Sequence, residues 1–187
     1  MKKRYQTLQA ALRSGQLIWV GQASDPDTHW RAFVVGLSDT FVLLNTVNKG
    51  FMALQGYTAL PLEEVKAVGT FAPHQFVSRA LALKNIVPEP QPDILLADFP
   101  GLLSSVNSHF PVVALFTERL DSRTYSIGRV SQMKKRSVLM REISTGGQWM
   151  PGTSKYRFRD VTRVDFGGGY EAALWMVAES DREARTP

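Results

Sequence analysis

The chain has 187 residues, 44% of them hydrophobic, no cysteine, and a formal net charge of +5. This composition lies within the globular range, and the absence of cysteine excludes a disulfide framework or a thiolate metal site. No run approaches the roughly 18 apolar residues of a membrane-spanning helix, and the basic start MKKRYQTLQAALRSGQ lacks the apolar run of a secretory signal; the expectation is a soluble, cytoplasmic protein with no membrane partner.

Residues 2–14 read as a short helix, because Tyr5, Leu8, Ala11 and Leu12 repeat at the spacing of one helical face and Gly15 can end it. QLIWVGQA (16–23) has the apolar density of a strand, with Trp19 expected in the core, and SDPD (24–27) supplies turn residues. Further strands are expected over Trp30–Leu37, Thr40–Val47, Tyr57–Leu62 and Val65–Thr70. Ser38-Asp39 and Asn48-Lys49-Gly50 are the turns, with glycine suited to positive φ, and Pro61 points to an edge or a bend. Five short strands cannot leave two hydrophobic faces exposed, so they are expected to curl into a small barrel. A helix over His74–Lys84 follows, with Phe76, Ala80 and Leu83 on its covering face.

Residues 85–93, NIVPEPQPD, hold three prolines and read as a linker. Beyond it the apolar stretch Ile94–Ser108 is split by Pro100-Gly101, leaving Leu102–Asn107 as a helix. Strands are then expected over Val112–Glu118, Thr124–Ser131, Arg136–Ile143, Lys155–Phe158 and Val161–Phe166. Gly167-Gly168-Gly169 reads as a flexible hinge before a helix over Tyr170–Glu179 and a tail.

The two halves echo one another at a shift of 96 positions: Val42, Leu43 and Leu44 fall on Val138, Leu139 and Met140, Gly50 and Gly56 on Gly146 and Gly152, and Glu64-Val65 on Asp160-Val161. The fold class expected is therefore mainly β (α+β), as two tandem five-stranded barrels flanked by short helices. The divisions are 1–84, linker 85–93, second barrel 94–180 and tail 181–187. The copies differ in charge: residues 16–72 hold 3 Lys/Arg against 5 Asp/Glu, net −2, and residues 110–166 hold 11 against 5, net +6. That asymmetry points to different partners for the two copies or an acidic partner for one of them.

A helix followed by five bent strands resembles the Sm/LSm fold, one of the small SH3-like barrels. The segment Gly36-Leu37-Ser38-Asp39-Thr40-Phe41-Val42-Leu43-Leu44-Asn45 is similar to that family's first motif, in which a strand turns through an acidic residue into an apolar strand. The family's second motif, a short Arg-Gly or Lys-Gly segment, is replaced by Pro61-Leu62-Glu63-Glu64-Val65 and Arg157-Phe158-Arg159-Asp160-Val161, so no RNA-contacting residue is carried over. The resemblance implies tandem barrels and the ring formation to which family members tend.

The sharpest chemical feature is Lys155-Tyr156-Arg157-Phe158-Arg159, where alternation along a strand turns Tyr156 and Phe158 inward and leaves three cations outside. Lys134-Lys135-Arg136 stands at a turn, and Arg129, Arg141 and Arg163 add to the same copy. A phosphate backbone, an acidic protein face or solubility each accounts for such a stripe, and basic strands also blunt edge pairing. Trp149, in the loop GGQWMPG, would if exposed stack on a base or anchor a partner. His29, His74 and His109 lack ligand spacing, no nucleophile elbow occurs, and Glu63-Glu64 sit at a turn, so no metal, cofactor or catalytic centre is expected. The function expected is a non-catalytic binding module for RNA or single-stranded nucleic acid through Lys134, Lys135, Arg136, Lys155, Arg157 and Arg159. The alternative is a protein-interaction or self-assembly module.

Overall fold

The computed structural model describes residues 2–27, 29–73, 75–121 and 125–183; the expected boundaries at His74 and Thr124 and the last four residues lie outside these. The described residues are mainly β with four helices. It divides into two compact units, Met1–Pro92 and Asp93–Pro187. No helix among the described residues is long and apolar enough to cross a membrane.

In the first unit, α1 (Lys2–Ser14) precedes β1 (Ile18–Gln22), β2 (His29–Leu37), β3 (Phe41–Asn48), β4 (Ala53–Pro61), a 3-10 turn (Leu62–Glu64), β5 (Val65–Thr70) and α2 (Phe76–Leu83). Helix α1 is closed by the bond from the Gly15 N–H to the Ala11 carbonyl, 2.9 Å. It packs on β2 and β5, and Leu8 and Ala11 enter a core with Ile18, Val20, Val34, Val42, Leu44 and Leu60. The strands are antiparallel in the order β5-β1-β2-β3-β4. Among the described residues no pairing joins β4 to β5, so hydrogen bonds leave the unit's sheet unclosed, short of the barrel expected.

Three expectations are corrected here. Trp19 is half-buried rather than central. Its indole lies across Gly69, where a Cβ would come within 2.3 Å of the ring nitrogen, and meets His29 edge-on at 5.7 Å. At the β3–β4 turn, Asn48 Oδ1 accepts from the Gly50 and Phe51 N–H groups at 2.8 and 3.1 Å, and the left-handed residue is Met52 rather than Gly50. On α2 the buried side chain is Leu81, whereas Phe76 and Leu83 are 73% and 81% exposed. Residues 85–93 form no helix or strand; the Glu89 N–H donates to Asn45 Oδ1 (3.0 Å), and the Tyr57 hydroxyl donates to the Glu89 carboxylate (2.8 Å).

The second unit holds α3 (Phe99–His109), β6 (Val113–Phe116), β7 (Tyr125–Lys134), β8 (Ser137–Ile143), β9 (Ser154–Arg157), a 3-10 turn (Phe158–Asp160), β10 (Arg163–Phe166) and α4 (Gly169–Glu183). Its strands run antiparallel in the order β10-β6-β7-β8-β9. Pro100-Gly101 does not split the helix: Asp98 caps α3 by accepting from the Gly101 N–H at 2.7 Å, and proline is harmless in a first turn that has no use for its N–H. Helix α3 packs along β7 and α4 against β8; Leu174 and Ala178 of α4 join Ala114, Ile127 and Ile143 in a core. Gly167 is a shaped position, not merely a hinge. Its φ is +70°, and a Cβ would come within 2.7 Å of the Phe110 ring.

Candidate functional site

Cross-strand partners in an antiparallel sheet point to the same face. Arg129 opposes Arg141, Lys134 opposes Ser137, Ser137 opposes Arg157, and Leu139 opposes Lys155. Arg129, Lys134, Arg141, Lys155 and Arg157 therefore share one face of β7-β8-β9, and all five are exposed. Ile127 and Ile143 belong to the same face by register but lie under α4. Helix α4 thus covers one end of the face and leaves the cationic end open.

The hairpin tip completes the cluster. Lys134 and Ser137 are the last pair of the β7–β8 ladder, so the two-residue loop Lys135-Arg136 projects beyond it. The Arg136 carbonyl accepts from the Phe158 N–H at 3.2 Å, joining the tip to the 3-10 turn. Between them lies a pocket of about 420 Å³ lined by Lys135, Arg136, Lys155, Arg157 and Arg159, together with Ser137 and Phe158. Five of the six cations expected to act together line this pocket; Lys134 stands outside it at the end of β7.

The alternation expected of β9 holds across Lys155–Arg159: the three cations are exposed, and Tyr156 and Phe158 are half-buried. The Phe158 ring stacks on Phe99 of α3 at 5.5 Å and 7°. The Tyr156 hydroxyl donates to Glu142 (2.5 Å) and accepts from Ser126 (2.6 Å). Burial, then the bond to Glu142, pushes the Tyr156 phenol up to about 12. The inward residues of β9 and the following turn therefore hold fixed the backbone that presents the cations.

Two further residues of the stripe have other roles. Arg163 is 6% exposed. It is paired with Glu118 at 3.1 Å and Asp165 at 3.2 Å, and its guanidinium lies 3.4 Å from the centre of the Phe116 ring. Glu118 also accepts from the Thr162 hydroxyl. Arg141 lies 5.0 Å from the centre of the Trp149 ring. Trp149 itself is half-buried, packs on the α4 core and donates from Nε1 to Glu179 at 3.1 Å; its ring anchors the loop to α4 rather than standing free for a partner.

The remaining candidates serve local structure. Glu64 is buried and accepts from the Ser24 N–H at 3.0 Å. Ser38 Oγ accepts from the Thr40 and Phe41 N–H groups, both at 3.0 Å. Ser144 Oγ accepts from the Gln148 N–H at 3.2 Å. His109 Nδ1 lies 2.8 Å from the Ser105 carbonyl. No three His, Asp or Glu side chains among the described residues are grouped to hold a metal ion. Alternation along the sequence pointed to the cations. The Glu142–Tyr156–Ser126 bonds, spanning three strands, had no local signal. Compared with protein-family models, with curated proteins and with solved structures, the chain matches none.

Proposed function

We propose that the chain is a non-catalytic, Sm-like tandem barrel protein that binds RNA or single-stranded DNA through the β7-β8-β9 face. The carrying observation is the convergence of five cations on one concave surface at the hairpin tip. Among the described residues no acidic side chain lines this pocket, and Arg129 directly opposes Arg141 on the same face. Like charges so placed repel by a few tenths of a kcal/mol or more unless an anion lies between them. A chain of phosphates relieves that repulsion, and bases that follow it can stack on exposed guanidinium planes.

The tandem reading rests on register. The irregularity between Val34 and Gly36 in β2 has its like between Val130 and Gln132 in β7, 96 positions on. The 3-10 turns Leu62–Glu64 and Phe158–Asp160 stand at the same interval. At the positions matching the basic stripe the first unit has Ala59, Pro61 and Glu63, and Asn45 and Tyr57 on the matching face hold Glu89. The binding role therefore falls to the second unit alone.

The test is fluorescence anisotropy of labelled single-stranded RNA and DNA at ~50 and ~200 mM salt, where each neutralised phosphate adds nearly one unit to the log–log slope. A slope of about −3 or steeper, flattened by about 2 in Lys155→Glu/Arg157→Glu, is the expected result. No binding at the lower salt rejects the proposal. A protein-interaction or assembly module is the second reading, and the exposed Phe51, Phe76, Leu83 and Val87 of the first unit favour it. Light scattering that gives a concentration-dependent mass, lowered by Phe76→Ser/Leu83→Ser, is its signature.

A further inference from the structure

A surface helix ordinarily turns its charged residues to solvent and its apolar ones to the core. Helix α4 departs from this. From Gly169 to Asp181 every exposed residue is uncharged, while Glu171, Glu179 and Asp181 are half-buried. Three large side chains stand on the open side, Tyr170, Met176 and Val177, at 51%, 65% and 49% exposure, beside the exposed Ala172 and Ala173. The core side is already taken by Leu174 and Ala178. Carboxylates border the open face, because Glu179 lies three residues beyond Met176 and Asp181 four beyond Val177. An apolar centre with Met and Tyr, and charge confined to the rim, is the composition of a protein interface.

The first unit holds an apolar surface with the opposite border. Phe76 and Leu83 lie seven residues apart on one side of α2, and both are exposed. Lys84 Nζ donates to the Phe51 carbonyl at 2.9 Å, which brings the exposed Phe51 of the β3–β4 turn to the C-terminal end of the helix. There the Ile86 and Asn85 N–H groups close α2 on the Leu81 and Ala82 carbonyls at 2.9 and 3.0 Å, and Asn85 takes the left-handed conformation (φ +54°). Val87 follows, exposed. Lys49, Arg79 and Lys84 are the exposed cations of these segments, and residues 48–53 and 71–87 contain no Asp or Glu.

We propose that α4 of one chain docks on the α2–Phe51 surface of a second copy, so that the protein associates with itself head to tail. This rests on the assembly reading above and names the surface that the first unit's apolar side chains meet. The sign of the charge selects the pairing. Two α2 surfaces brought together set Arg79 and Lys84 against their own kind, and two α4 faces do the same with Glu179 and Asp181. Only α4 on α2 sets carboxylates against cations. A contact between unlike surfaces leaves one of each free at the ends, so copies add until the series closes. The basic β7-β8-β9 face takes no part in it.

The test is light scattering on the full chain, freed of nucleic acid, at micromolar to submillimolar concentration. Wild-type mass should rise with concentration. Phe76→Ser/Leu83→Ser and Ala173→Lys/Met176→Lys, all at exposed positions, should each weaken association about tenfold or more while leaving circular dichroism unchanged. Mixed in equal amounts, these two proteins should form a dimer that grows no further, since one supplies an intact α4 and the other an intact α2 surface. Lys155→Glu/Arg157→Glu should associate as the wild type does. A wild-type mass that stays monomeric overturns both this proposal and the assembly reading. Undiminished association of the Ala173→Lys/Met176→Lys protein, or no dimer in the mixture, overturns the proposal while the assembly reading stands. Loss of association in Lys155→Glu/Arg157→Glu moves the contact to the β9 cations and likewise overturns it.

Discussion

Arg163 shows how far one side chain's role departs from its charge. In the sequence it extends a basic stripe. In the fold it is enclosed by two carboxylates and an aromatic face. Truncating one member of a buried ion pair leaves the other uncompensated, so Arg163→Met should cost about 3–5 kcal/mol in urea unfolding, and adding Glu118→Gln should recover part of it. A similar loss in both proteins would mean that packing against Phe116, not charge, dominates. Tyr156 provides a pH readout at the same scale. Its ionisation lies near 10 when unfolded and about 12 when folded, raised first by burial and then by Glu142. A raised folded value means the stabilisation is complete below pH 10 and is lost as pH rises from about 10 to 12. Tyr156→Phe should cost about 1–2 kcal/mol at neutral pH, because Glu142 and Ser126 lose their common partner, and should flatten the loss above pH 10. Tyr57, also raised by burial and Glu89, contributes equally to both proteins and cancels in the difference.

At the scale of elements, what was legible depended on whether the deciding signal was local. Turn residues and alternation locate eight of the ten strands among the described residues to within about two residues; β7 runs three residues further than expected, to Lys134, and β4 begins four residues earlier because the hairpin continues past Gly56 to Ala53. The inward Tyr156 and Phe158 were legible for the same reason. The buried face of α2 was not, since FVSRALAL has one broad apolar arc from Leu83 and Phe76 through Ala80 and Val77 to Leu81, and Ser78 and Arg79 opposite it do not say which edge of that arc is buried. Only packing selects Leu81. Leu81→Ala should therefore lower stability by about 2–3 kcal/mol, whereas Phe76→Ser or Leu83→Ser should change it by about 0.5 kcal/mol or less; urea midpoints with unchanged slope would verify the ordering. Trp149 is half-buried rather than exposed for a related reason: its partner, Glu179, lies thirty positions onward on α4. Nothing in GGQWMPG announces that bond.

Over the whole molecule, net charge does not distinguish the two units. Residues 1–92 carry 9 Lys/Arg against 6 Asp/Glu, net +3, and residues 93–187 carry 13 against 11, net +2. What differs is segregation. Residues 125–159 hold eight cations and one acid, Glu142, while α4 gathers Glu171, Glu179, Asp181 and Glu183. A ligand that answered only to total charge would treat any two lysines alike, but a ligand seated on the β7-β8-β9 face would not. Lys2→Glu/Lys3→Glu on α1 and Lys155→Glu/Arg157→Glu on β9 each replace two cations by two acids and so lower the net charge equally. With the segregated face as the site, the α1 pair should leave the salt slope unchanged and the β9 pair should reduce it by about 2. Equal flattening by both pairs would mean that attraction is diffuse, and that the concave cluster at the hairpin tip is a solvated surface rather than a binding site.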